Sequence, residues 1–274
     1  MPETERLLVQ RLVNADLTAD VIDEIWRCHS RSGKRTRDAF ARALQPADEI
    51  FVGREGNDGA VRGFTANKIL TLEWAGRSIT VVYTLFASVD PEWRGSNLLQ
   101  RIFLRRFLAL KAKRPLRPLY WVFTASTYLS YLGLPRNFVE YWPSRHRATP
   151  ANARALMDIV MRRVGIEGWD PASGVVRRNG TTNYSEGVVS GDSCVITDPD
   201  IQFYAACNPG QKHGDTLVCL CRFDARNAGQ VLLKAIRRLY QWRRSAAPTA
   251  DVRRTGAFQP GSRCGTSTTP VLSR

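Results

Sequence analysis

The chain is poor in the residues that most often mark a reaction centre. It has 3 histidines, His29, His146 and His213, and they stand at no metal-ligand spacing. No G-x-S-x-G elbow occurs, so a serine hydrolase of that design is excluded. No apolar run reaches the length a membrane span needs. The opening MPETERLLVQ lacks the basic start and long apolar core of an export signal, so a cytoplasmic location is expected. Lysine is scarce beside arginine, which fits a bacterial chain. The 6 cysteines, Cys28, Cys194, Cys207, Cys219, Cys221 and Cys264, are widely spaced, and reduced thiols are expected. Cys219 and Cys221 form C-x-C, which on a strand puts both on one face. That spacing is too tight for an ordinary metal pair, and no metal is expected.

Acidic residues are the other shortage. Lys+Arg is 40 against 25 Asp+Glu, a net charge of +15 over 274 residues. Arg94 to Phe138 contains no acidic residue, and Arg226 to Arg274 contains one, Asp251. A field concentrated in this way favours an anionic partner: a nucleotide cofactor, an acidic carrier protein or nucleic acid. At 43% apolar residues the chain has enough to fold a core.

Periodicity gives the order of elements. Leu7–Val13 reads as a first strand, Leu17–Gly33 and Lys34–Asp48 as helices, and residues 49–70 as a hairpin. Ser78–Asp90 is a long apolar strand without alternation, expected at the centre of the sheet with both faces covered. A helix with one apolar stripe and a basic edge follows from Ser96, then the strand PLYWVFTAS and the helix-like turn TYLSYLGL. After the helix ANARALMDIVMRRVG, the segments IQFYAACNPG and DTLVCLCRF read as two late strands, and 227–246 as a last helix. The result is an α/β (α+β) fold, with a mixed, mostly antiparallel twisted sheet flanked by helices. It forms one domain over 1–245, with a long insert at about 136–199 before the last two strands. Residues 246–274 are rich in Pro, Gly, Ser, Thr and Arg and read as a basic disordered tail.

The informative stretch is VVYTLFASVDPEWRGSNLLQ. Pro91 ends the strand, Gly95 permits unusual dihedrals, and the first N–H groups of the following helix converge on an anion site. An ordinary β-α corner is the competing reading. This strand, turn and helix, with the strand and turn after them, resemble the GCN5-related N-acetyltransferase superfamily over roughly Leu7 to Leu134. The family motif is Arg/Gln-x-x-Gly-x-Gly/Ala. Here it reads Arg94-Gly95-Ser96-Asn97-Leu98-Leu99, matching at the first position, with Asn97 and Leu99 where the family has small residues.

The resemblance implies a cofactor site at Val89, Arg94, Gly95, Ser96, Asn97 and Leu98. The cofactor would be an acyl-coenzyme A, or an acyl group on the phosphopantetheine of an acidic acyl carrier protein. The implied reaction is acyl transfer to an amine on a small molecule or peptide. The implied proton donor to the leaving thiolate is Tyr128 or Tyr131, and Glu73 is the candidate base, ahead of His146 and Asp215. A degenerate domain of this type that binds tRNA, other RNA or another anionic partner without acyl chemistry is the alternative. Arg136, Arg145 and Arg147 interleave with Phe138, Tyr141 and Trp142, a pattern that suits an acceptor pocket in the insert or plain packing of a long loop.

The cysteine reading has a direct check. Protein purified under reducing conditions and denatured without reductant is expected to titrate six free thiols with a thiol reagent; any shortfall in that count contradicts it.

Overall fold

A computed structural model describes residues 7–56, 59–178, 197–230 and 233–234. The last helix and the tail read from the sequence lie almost wholly outside these residues.

The strands are β1 (Leu7–Leu12), β2 (Glu49–Glu55), β3 (Val61–Trp74), β4 (Arg77–Val89), β5 (Leu119–Ala125), β6 (Tyr141–Trp142), β7 (Trp169–Asp170), β8 (Val175–Val176) and β9 (Thr216–Arg222). The helices are α1 (Ala19–Ser30), α2 (Arg37–Leu44), α3 (Leu98–Lys113), α4 (Tyr128–Tyr131), α5 (Ala151–Val164) and α6 (Pro199–Cys207). One sheet runs β1-β2-β3-β4-β5-β9-β8-β7, and β6 also pairs with β9. Every pairing is antiparallel except β4 with β5. Parallel neighbours need a crossover, and α3 provides it.

Alternation along the strands assigns the two faces. Val82, Trp121, Phe123 and Cys219 pack with Phe103 and Phe107 of α3, and with Tyr131 and Tyr204. The intervening Val81, Tyr83, Val122 and Leu220 pack against Leu156, Met157, Val160 and Met161 of α5. On that second face, α1 and α2 cover β2 and β3 through Ile25, Phe40 and Leu44. The apolar β4 is thus covered on both faces, as its lack of alternation implies. Cys219 and Cys221 both point into the first face, and Cys28, Cys207, Cys219 and Cys221 are free thiols.

One reading changes. The stretch read as the first late strand is helix α6, so a single strand, β9, follows the insert. Asp198 caps its first turn and Pro199 occupies a starting position, the two signals of a helix N-terminus. Ile201 and Tyr204, three apart, are its buried residues, a helical spacing hidden by an apolar run. The insert also supplies the hairpin β7–β8, which widens the sheet.

The end of β4 is anchored by a buried carboxylate. Asp90 is 2% exposed and accepts two hydrogen bonds from Arg31 (2.9 and 2.7 Å) and one from Arg62 (3.3 Å). Burial alone would raise its pKa; the guanidiniums of Arg31 and Arg62 and the Glu92 N–H outweigh that and hold it below the usual aspartate range. In α1, burial pushes His29 down to about 4. His29 stacks on Phe40 at 4.8 Å.

Both shifts act in one direction. The folded state binds protons at Asp90 and His29 less readily than the unfolded chain, so their stabilisation is complete near neutral pH. The His29 share is lost as pH falls from about 6.5 toward 4, and the Asp90 share at lower pH still. Urea titrations across this range are expected to show that decline. Asp90→Asn is expected to lose about 2–4 kcal/mol at pH 7, and to converge on wild type in acid. An unchanged midpoint at pH 7 contradicts the anchoring role.

Candidate anion site

The central sheet opens where β4 ends. β4 pairs with β5 only from Thr80↔Leu119 to Thr84↔Phe123, although β4 continues to Val89. Against β3, Asn67 pairs with Thr84 and Ala66 with Phe86, so Leu85 is an extra residue, a β-bulge. A buried chain of hydrogen bonds pins this point: Trp121 Nε1 donates to Thr84 Oγ1 (2.9 Å), and Thr84 Oγ1 donates to Asn67 Oδ1 (2.9 Å). Beyond it Leu85, Phe86 and Ala87 are half-exposed, although they lie on the central strand.

The open edge carries backbone groups. Asp90 N–H donates to the Arg62 carbonyl (2.9 Å), so the alternating residues Ser88 and Phe86 also bond toward β3. The N–H and C=O groups of Ala87 and Val89 therefore face away from β3, into the gap where β5 no longer pairs.

The turn after Val89 is a short 3-10 helix, Pro91–Trp93, capped by the Asp90 carboxylate on the Glu92 N–H (3.2 Å). Gly95 follows at φ +87, and an added Cβ there would meet no atom within 4 Å. Asn97 has φ 60 and ψ 22, the left-handed region that asparagine tolerates better than most residues. Helix α3 then starts at Leu98, and Arg101 N–H is its first to reach a carbonyl, that of Asn97 (3.0 Å). The N–H groups of Leu98, Leu99 and Gln100 precede any carbonyl the helix can offer. No acidic residue stands in that first turn. Ser96 Oγ is buried with no hydrogen-bond partner among the described residues. Arg94 is exposed, and its guanidinium donates to Ser32 Oγ (2.6 Å), just past the end of α1.

The helix start is seated by two glycines. Gly53 of β2 and Gly63 of β3 are register partners, and a Cβ on either would run into the Leu98 side chain, at 2.5 and 2.8 Å. Their bare backbones let the α3 N-terminus lie close on the sheet beside the end of β4. No periodic signal marks this pair in the sequence, because only the strand register brings them together.

These features suit an anionic group such as a phosphate. An orphan hydroxyl, a glycine with open space, a helix start and an arginine occupy one turn. Val89, Arg94, Gly95, Ser96, Asn97 and Leu98 are all at this turn or on the strand end that leads into it.

The suggested catalytic residues are not brought together. Tyr131 is fully buried: its hydroxyl donates to the Pro143 carbonyl (3.1 Å), it stacks on Tyr204 (5.6 Å), and burial pushes its pKa far up. Tyr128 is half-buried at the start of α4, directly after β5, where Thr127 and Ser130 form a capping box. Glu73 is exposed near the far end of the β3–β4 hairpin, opposite Ser78. At about 3.3 Å per residue, Ser78 is roughly 30 Å along β4 from Ala87. Asp215 accepts from Arg178 N–H (2.8 Å) at the start of β9, and His146 lies on the exposed loop after β6.

No family model matches this chain, and no curated protein does. Solved structures similar to it include N-acetyltransferases and an N-myristoyltransferase. A GNAT family N-acetyltransferase from Escherichia coli in complex with CoA is 16% identical over 48% of this chain and 69% of that one, TM-score 0.35. The ribosomal-protein-S18-alanine N-acetyltransferase from Escherichia coli is 12% identical over 79% of this chain and 95% of that one, TM-score 0.35. A GCN5-related N-acetyltransferase from Kribbella flavida is 19% identical over 46% of this chain, TM-score 0.33. The match covers 32% of the Kribbella flavida chain, so this chain spans about a third of its length.

Substitutions in the turn separate backbone from side-chain effects. Gly95→Val forces a β-branched residue to φ +87, at a cost of about 1–3 kcal/mol, and fills the open space above the turn. Asn97→Gly relieves the left-handed position and is expected to stay within about 1 kcal/mol of wild type. Chemical denaturation of both variants checks this; a large loss in Asn97→Gly shows that its side chain, not its backbone, holds the turn.

Proposed function

We propose that this chain is a divergent GCN5-related acyltransferase. It takes an acyl group from a thioester, on coenzyme A or on a carrier protein's phosphopantetheine, and moves it to an amine. The observation that carries this reading is the conjunction at the end of β4. A strand edge with free backbone groups at Ala87 and Val89 opens directly onto a positive turn at Arg94–Leu98. Val89, Gly95 and Ser96 would hold the donor's linear arm and phosphates, with Arg94 adding charge and Asn97 and Leu98 setting the helix start. The open edge gives an extended donor a strand-like partner.

In this reading the acceptor nitrogen attacks the thioester carbonyl, the C–N bond forms, and the C–S bond breaks. The amine gives up a proton and the departing thiolate takes one. Tyr128, at the start of α4 directly after β5, is the proposed source of that second proton. Tyr131 serves as packing, and Glu73 is too far along the sheet for the base. The acceptor is a small molecule or peptide amine.

A second reading has its own observation. Arg101, Arg105 and Lys113 of α3 and Arg114 just after it are exposed, and none of them makes an ion pair among the described residues. Such cations suit RNA or an acidic carrier protein.

Calorimetric titration with coenzyme A, a medium-chain acyl-coenzyme A, acyl carrier protein and a tRNA decides among these. At least one of the first three is expected to bind, and Gly95→Val is expected to weaken it tenfold or more, about 1.4 kcal/mol. Tyr128→Phe is expected to bind the donor normally and to lose about 10²–10⁴ in turnover. Binding of tRNA alone, with steep salt dependence, sinks the acyltransferase reading and supports the second.

A further inference from the structure

The insert lines a cleft. The cleft, of about 470 Å³, lies between α5, α6, the loop after β6 and the β7–β8 hairpin. That volume is in the range of small-molecule sites, about 300–1,000 Å³. Its lining includes Arg145, His146, Arg147 and Arg154 and no carboxylate. Arg145 is partly neutralised by Asp200, at 2.7 Å. Arg147 donates one N–H to the Val139 carbonyl (3.1 Å), and neither it nor Arg154 makes an ion pair among the described residues. Met157, Trp169 and Phe203 add apolar surface to the lining. The Trp169 ring is held in place by its Nε1 donating to Asp158 (2.9 Å).

Two cations and apolar side chains lining one cleft suit an anion joined directly to an apolar group. The position of the cleft narrows this further. Leu217 and Val218 line it, and they pair with Ala125 and Thr124 of β5. Those two are the first β5 residues past Phe123, the last to pair with β4. The cleft thus lies at the same end of the sheet as the opening, beyond β9. With strands about 4.8 Å apart, it is on the order of 10 Å from the gap.

We propose that this cleft seats the acyl acceptor, and that the acceptor ends in a carboxylate beside an apolar side chain, with its reactive amine about 10 Å away. The C-terminal end of a short peptide has this chemistry, since three extended residues span roughly 10 Å. Arg147 and Arg154 hold the carboxylate, while Trp169, Phe203 and Met157 hold the side chain. This rests on the acyl-transfer reading for the amine's role, but the binding itself is independent of it.

The test uses the full chain, with the tripeptide Gly-Gly-Phe and its C-terminal amide as probes, followed by calorimetry and tryptophan fluorescence. The free acid is expected to bind at least tenfold tighter than the amide. The double variant Arg147→Ala/Arg154→Ala is expected to lose that difference, while Arg163→Ala, an exposed change on the same helix, keeps it. Thermal unfolding of each variant confirms that it is folded. Equal binding of acid and amide, retention of the preference in the double variant, or no binding of the acid at millimolar concentration overturns the proposal. A parallel coenzyme A titration separates the two readings. If the tripeptide binds and coenzyme A does not, the donor site is wrong and the cleft stands; the reverse result removes the cleft alone.

Discussion

The carboxylate of Asp90 is the constraint on which the rest of the site depends. It stands at the last position before the chain leaves the sheet, and it draws in Arg31 from the residue after α1 and Arg62 from β3. One buried charge therefore joins three segments distant in sequence. It also caps the 3-10 turn through Glu92 N–H, so the direction in which the chain leaves β4 is set by the same group. Arg62 in turn lies over the Trp93 ring at 5.6 Å and pairs with Glu55 at 2.5 Å. A buried carboxylate with two guanidinium partners is costly to break and has few alternative arrangements. That rigidity is what a turn needs if its N–H groups are to wait, already oriented, for an anion.

The opening beside the turn follows from a conflict between neighbouring strands. β4 must pair antiparallel with β3 over its whole length and parallel with β5 over only five residues. The bulge at Leu85 lets β4 bend away while its β3 ladder continues. The Trp121–Thr84–Asn67 chain of hydrogen bonds fixes where the split begins. β5 meanwhile stays with β9 through Ala125. The gap is therefore a property of the paired registers, with both its walls held by complete ladders on their outer sides. In open sheets with parallel strands, ligands sit where the carboxyl ends of those strands diverge, and this gap is such a place.

Much of this was legible in the sequence, and what was not has physical reasons. The apolar run of β4 and the Pro-Glu-Trp-Arg-Gly turn are local signals, and both stand as read. α6 was misread because Ile-Gln-Phe-Tyr-Ala-Ala-Cys is apolar without clear alternation, and the deciding Asp198-Pro199 cap lies just before it. Glu73 looked close to the central strand because it precedes it in the chain, but a hairpin of two long strands carries sequence neighbours to the far end of the sheet. Asp90 and the Gly53–Gly63 pair left no periodic trace, since their roles arise from tertiary contacts alone. For the two tyrosines, a shift of three residues on a one-turn helix separates a half-exposed ring from a fully buried one, and the pattern TYLSYLGL supports either register.

The departures of this turn from the GCN5-related motif it resembles are absorbed by the same geometry. A glycine at the fourth motif position offers a left-handed backbone; Asn97 takes that conformation itself, at φ 60. Asparagine is the residue that gives up least in replacing glycine there. At the sixth position Leu99 is half-buried and packs toward the apolar clusters beneath α3, beside Leu98 in its glycine seat. Its bulk is directed into the helix–sheet interface, not along the line of the free N–H groups. What the motif's small residues provide is backbone conformation and close approach. Here the first comes from Asn97, and the second from Gly95 above the turn with Gly53 and Gly63 below it. The helix start can thus present its N–H groups to an anion without the motif's later glycines.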